Sequence, residues 1–239
     1  MFRTGPVCAY APAMIRTAPF PPAVRVTALA VRGAEAVERA RMIPEETAVA
    51  FVYDGGSEAV MMATPADLED FALGFSLTEG IIASVDEIRE LEIAPQADGI
   101  ELRIWLAGDR GADLTRRRRA RAGPTGCGLC GVESLADAMR PAPEVAAELT
   151  VPAEVIVAAM RDLASRQHLN LQTRAVHAAA LFLPGEGIIA VREDAGRHNA
   201  LDKLAGALAR MDRRAADGVV RDDGLEVFTR PERIATARA

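Results

Sequence analysis

Glu193-Asp194-Ala195-Gly196-Arg197-His198-Asn199-Ala200-Leu201-Asp202-Lys203 is the stretch on which the reading of the fold turns. An apolar run, Ile188 to Val191, leads into it. Beyond it Leu201, Leu204, Ala205 and Leu208 recur at helical spacing. A strand therefore feeds a helix. Asn199 suits the helix N-cap, and Asp202 stands three residues later in a capping-box-like position. Arg197 and His198 then sit at a helix N-terminus, where free backbone N–H groups and the helix dipole favour anions. A capped crossover helix with solvated charges would use the same residues. The density of polar and ionisable side chains argues against so plain a role.

Working outward, Thr173 to Leu183 holds His177 in an apolar run, and Pro184 to Gly187 makes a turn before the Ile188 strand. A lone buried histidine is more often hydrogen-bonded core than catalyst. Residues 153–165 carry Val155, Ile156, Ala159, Met160 and Leu163 on one helical side. Further upstream, Val24 to Val31 and Glu46 to Tyr53 read as strands. Asp54-Gly55-Gly56 supplies turn chemistry before a returning strand at Ala59 to Met62. Thr64 suits an N-cap, Pro65 the first helical position and Asp67 the first turn. Leu68, Phe71, Ala72 and Phe75 give that helix one apolar face, and Gly80 ends it. Ile88 to Ala94 and Ile100 to Leu106 read as two more strands, so this region is expected to be an α+β unit with an antiparallel sheet. The expected fold class is α/β. Its divisions are a disordered extension (1–22), an N-terminal α+β unit (23–113), a connecting segment (114–150) and a C-terminal α/β domain (151–239).

The connecting segment contains Thr125-Gly-Cys-Gly-Leu-Cys-Gly131, preceded by Arg116 to Arg119 and Arg121. Cys127 and Cys130 can form a disulfide, ligate half of a metal site, or carry sulfur through a thiolate. Nearby positive charge and a helix N-terminus both lower a thiol pKa. Gly126 to Gly131 also spells GxGxxG, but no apolar strand leads into it as a dinucleotide fold requires.

Bulk properties narrow the classes. The 239-residue chain carries a net charge of -6, which does not suggest nucleic acid binding. No apolar run reaches membrane-spanning length, and the first 22 residues make a poor signal peptide. Three cysteines, two of them in a CxxC, fit a reducing cytoplasm rather than a disulfide scaffold.

Taken together, Thr64-Pro65-Ala66-Asp67-Leu68 with Gly74 and Thr78-Glu79-Gly80-Ile81-Ile82, then Cys127-Gly128-Leu129-Cys130-Gly131, then His177-Ala178-Ala179-Ala180, then Glu193 to Lys203, resemble the formate dehydrogenase accessory sulfurtransferase (FdhD) family. The resemblance runs from about residue 45 to 210. It implies a cytidine-deaminase-like C-terminal domain, a homodimer and a cytoplasmic location. It further implies that Cys127 accepts sulfur from a cysteine desulfurase as a persulfide, with Cys130 assisting. The recipient would be the molybdenum cofactor of formate dehydrogenase, in its bis(molybdopterin guanine dinucleotide) form. That cofactor would be held as substrate by His177, Arg197, His198, Val220, Arg221, Asp222, Asp223 and Gly224.

Three departures accompany the resemblance. Arg174-Ala175-Val176 replaces a glycine pair before His177, and Asp54 stands where the family often has asparagine. A strand-helix-strand-helix stretch expected between Ala216 and Val219 is absent, so the C-terminal domain is shortened, with apolar sheet surface and an edge strand expected to be left uncovered. Two other readings remain. One is a zinc-binding, deaminase-like enzyme using Cys127 and Cys130 with His177 or His198. The expected H-x-E and P-C-x-x-C patterns are missing: Ala-Ala follows His177, Asn-Ala follows His198, and Gly126 replaces the proline. The other is a non-catalytic chaperone that only binds the cofactor or the apoenzyme.

Overall fold

The computed structural model describes residues 20–108, 151–215, 218–222 and 227–228. Strands β3 (Thr47–Tyr53), β4 (Gly56–Ala63), β5 (Ile88–Gln96) and β6 (Gly99–Leu106) form one sheet in the order β4-β3-β6-β5. The turn between β3 and β4 places both Asp54 (φ 46) and Gly55 (φ 78) in the left-handed region. That is the primed geometry whose twist suits a two-residue hairpin. The Asp54 carboxylate also accepts the Leu106 N–H at 3.2 Å, tying the turn to β6. The sheet is mixed, not antiparallel throughout: β3 and β6 run parallel, because the chain crosses over through α1 (Leu68–Thr78) and β5 before returning beside β3. Strands β1 (Ala23–Arg32) and β2 (Glu35–Pro44) form a separate two-stranded ribbon. The alternation in 35–44 is weak, and the sequence reading missed β2.

Helix α1 packs Leu68, Phe71, Ala72 and Phe75 on this sheet, as its periodicity requires. Phe51 stacks on Phe75 at 4.0 Å and meets Phe71 edge-on at 5.0 Å. The opposite side of α1 is buried too, including Glu69, Asp70 and Gly74. What covers it is α4 (Arg197–Arg210) from the far end of the chain, which lies in turn on a second sheet, β10-β9-β7-β8. That sheet contains β7 (His177–Leu183), β8 (Gly187–Asp194), β9 (Val219–Asp222) and β10 (Val227–Phe228), antiparallel at every pairing. Helix α2 (Ala153–Arg166) and the short α3 (His168–Thr173) complete the described C-terminal part, with Leu163 and Ala180 packed on the outer face. The layers run sheet, α1, α4, sheet, α2, an α/β arrangement in which two helices are sandwiched back to back.

Two capping assignments change. Thr64 does not cap α1; the cap position belongs to Asp67, at φ 52. Asn199 does not cap α4; Gly196 holds that position, and Asn199 lies inside the first turn. In both cases the side chain is drawn into tertiary hydrogen bonds that local spacing cannot reveal. Met160 on α2 is 38% exposed and Ala205 on α4 half-buried, so both apolar faces are narrower than their periodicity suggests.

Candidate functional site

Thr64 joins the two halves through three different atoms. Its N–H donates to Asp194 Oδ2 (3.0 Å), its Oγ1 accepts the Ala195 N–H (3.1 Å), and its carbonyl accepts from Lys203 Nζ (2.9 Å). Lys203, the only lysine of the chain, is fully buried and sits 2.7 Å from Asp194 Oδ2. Asp194 Oδ1 accepts the Gly196 N–H (2.7 Å) and Asn199 Nδ2 (2.9 Å). Asn199 Nδ2 also reaches the Met62 carbonyl at 2.9 Å. Buried charge is tolerated only when paired and hydrogen-bonded, and here the carboxylate receives four donors. Replacing Thr64 with valine strands the Ala195 N–H and is expected to cost about 1–2 kcal/mol. Thr64→Ser keeps the acceptor and should cost less; equal losses in chemical denaturation would show that the methyl group, not the oxygen, matters.

A second set of contacts continues along α1 and α4. Asp202 Oδ1 accepts from Thr78 Oγ1 at 2.7 Å, instead of closing a capping box. Arg192 reaches Asp70 at 2.7 Å, and Arg210 reaches Asp70 at 2.9 Å and Glu69 at 3.1 Å. Burial raises the Glu69 pKa, against the lowering pull of Arg210, and Asp70 raises it further. Glu69 Oε1 is buried with no hydrogen-bond partner among the described residues, which favours the protonated form. Glu193 accepts the Leu169 and Asn170 N–H groups at 2.9 and 2.8 Å, holding the start of α3.

These bonds account for most of the polar stretch 193–203 as a structural latch. Arg197, exposed, and His198, half-buried, stand outside it in the first turn of α4. The register brings the other candidates to the same end of the second sheet. His177 begins β7 opposite Asp194, where β8 ends. Asp222 ends β9 opposite Ala179, with Arg221 opposite Ala180 and Val220 opposite Leu181. His177, the ends of β8 and β9 and the start of α4 with Arg197 and His198 therefore lie toward one end of the second sheet, where free helix N–H groups favour an anion, while Val220 and Arg221 lie further in along β9. Cys127, Cys130, Asp223 and Gly224 lie outside the described residues.

The sequence reading missed Thr64 as a hub and the partners Asp70, Arg192 and Arg210. The one available signal was Lys203, a single lysine in a chain that otherwise uses arginine. Arg174, in the stretch before His177 where the resemblance leads one to expect a glycine pair, takes the left-handed φ of 56 just after α3. Glycine adopts that conformation without steric cost.

Two sheets with helices packed between and beside them define an α/β protein, with His177, Arg197 and His198 near one end of the second sheet. Residues 44–221 match the model of the FdhD/NarQ family, and the chain belongs to that family. It is 48% identical over 197 residues to the sulfur carrier protein FdhD of Agrobacterium fabrum, covering 82% of this chain and 73% of that protein. It is 46% identical over 212 residues to the protein of the same name from Bordetella petrii, covering 87% and 76%. A crystal structure from Desulfotalea psychrophila, described as a formate dehydrogenase accessory protein, superposes with a TM-score of 0.60 at 23% identity, covering 84% of this chain and 73% of that one. Its fold is the same. Among the described residues no helix is long and apolar enough to cross a membrane.

Proposed function

We propose that this protein is a cytoplasmic sulfur carrier serving formate dehydrogenase. In this reading the Cys127 thiolate attacks the outer sulfur of a cysteine desulfurase persulfide. An S–S bond forms on Cys127, and the desulfurase cysteine leaves as a thiolate. Cys130 assists, and the sulfur passes to the bis(molybdopterin guanine dinucleotide) molybdenum cofactor as substrate. His177, Arg197, His198 and the segment Val220 to Gly224 would hold that cofactor, with the arginines at its phosphates. The observation that carries the reading is that Cys127-Gly128-Leu129-Cys130 falls inside the matched span, whose curated relatives bear the name sulfur carrier protein FdhD. The sheet end supports the ligand side of it: once the latch is subtracted, the groups left outward at α4 are a cation and an imidazole, both suited to phosphate.

Intact-protein mass spectrometry after incubation with a cysteine desulfurase and cysteine tests the relay. The wild type should gain one sulfur atom that reductant removes, and Cys127→Ala should gain none. A folded wild type that takes up no sulfur would leave a cofactor-binding chaperone as the role.

A further inference from the structure

The β1–β2 ribbon pairs in unbroken register from Ala23 opposite Pro44 to Arg32 opposite Glu35. From Leu29 round to Arg41 every residue is exposed. Leu29 is 62% exposed, Val31 67% and Val37 50%. Two strands alone are marginal in water unless further strands or a helix support them; α3 supports the base of the ribbon, where Arg41 donates to the Thr173 carbonyl at 3.4 Å, but not the exposed part beyond it. Leu29 and Val31 lie on one face of the ribbon and Val37 on the other, because Ala30 is the residue across from Val37. Neither outer edge of the ribbon carries a strand partner among the described residues.

We propose that the β2 edge pairs antiparallel with the β2 edge of a second copy of this chain about a twofold axis, making one four-stranded sheet. The proposal rests on the expectation of a homodimer and names its surface. Charge selects the register. Only alternate residues turn their N–H and C=O groups outward, so identical strands must pair residues of like parity. An axis at Glu38 sets glutamate on glutamate. An axis at Arg39 sets arginine on arginine, and one at Ala40 sets Arg39 on Arg41. Like charges directly opposite destabilise a strand pair. An axis at Val37 avoids all of these. It sets Val37 on its copy and each Glu35 opposite an Arg39. Within the ribbon Ala30 lies across from Val37 and Arg32 across from Glu35. The central row of the joined sheet is then apolar, and each Glu35 lies between two arginines.

Sedimentation velocity over a concentration series tests this. The wild type should be dimeric. Val37→Asp places two carboxylates on the axis and should weaken dimerisation about 100-fold, the effect of losing a central anchor. Glu35→Arg or Arg39→Glu alone should weaken it about tenfold, and the double charge swap should recover part of that loss. Val60→Asp, on an exposed position of β4 (64%), should change nothing. Half-exposed Val37 tolerates replacement in the monomer, and unchanged melting curves would verify it. A monomeric wild type overturns both the pairing and the homodimer. A dimer indifferent to Val37→Asp overturns the pairing alone. A double swap weaker than both single reversals overturns the register. None of these outcomes bears on sulfur transfer.

Discussion

Lys203→Met is expected to destabilise the protein by about 3–5 kcal/mol, the cost of leaving one member of a buried ion pair without its partner. Lys203 and Asp194 are both fully buried, 2.7 Å apart. The variant keeps the length and apolar stem of the side chain but removes the charge. Asp194 retains three N–H donors, from Thr64, Gly196 and Asn199, which limits the damage without restoring neutrality. Lys203→Arg should also be poorly tolerated, because a planar guanidinium needs more room than an ammonium at a site with no solvent access. Adding Asp194→Asn to Lys203→Met removes the stranded charge and should recover part of the loss. Urea denaturation of the four proteins of that cycle gives the coupling directly. A single-variant loss below about 1 kcal/mol would show that water or rearrangement solvates the carboxylate.

Gly74→Ala is the second large effect. Helices α1 and α4 touch backbone to backbone there. A Cβ on Gly74 would run into the Asp202 carbonyl oxygen, and one on Gly206 would run into the Asp70 carbonyl oxygen. Neither obstacle is a side chain that can rotate away, so the helices must separate. The expected loss is about 3 kcal/mol, the upper part of the range for overpacking. Separation would also stretch the Thr78–Asp202 and Arg210–Asp70 contacts, 2.7 and 2.9 Å long. The midpoint of thermal unfolding should fall by several degrees. An unchanged midpoint would mean that the helices do not lie this close in solution. The consequence reaches the proposed ligand site, because the same latch fixes the first turn of α4, where Arg197 and His198 stand.

The class of each long element was legible because one buried face imposes one period. Val49, Phe51 and Tyr53 alternate on β3, and Leu201, Leu204 and Leu208 repeat on α4, so strand and helix followed from spacing. The same logic fails for a helix buried on two sides. Glu69, Asp70 and Gly74 fall outside the one apolar face that spacing assigns to α1, and periodicity cannot say that a helix from the other half of the chain covers them. The parallel pairing of β3 with β6 escaped notice for a related reason: adjacent hairpins suggest antiparallel neighbours, and only the crossover reverses one of them.

The candidate site divides along the same line. Arg197, His198 and the Cys127–Cys130 pair are candidates that the sequence alone offers, since charge at a helix start and two closely spaced thiols are local patterns. The sequence also determined the strand-to-helix order and the family, because both rest on residues near one another in the chain. Only the tertiary structure decided what Thr64, Asp194, Asn199, Asp202 and Lys203 do. Each was read as a cap or as a member of a charged motif, yet each is claimed by a partner from the other half of the molecule. In water a cap or a solvated charge suffices; between two packed helices and a sheet end, every such group must find a donor or an acceptor, and that requirement outweighs local preference.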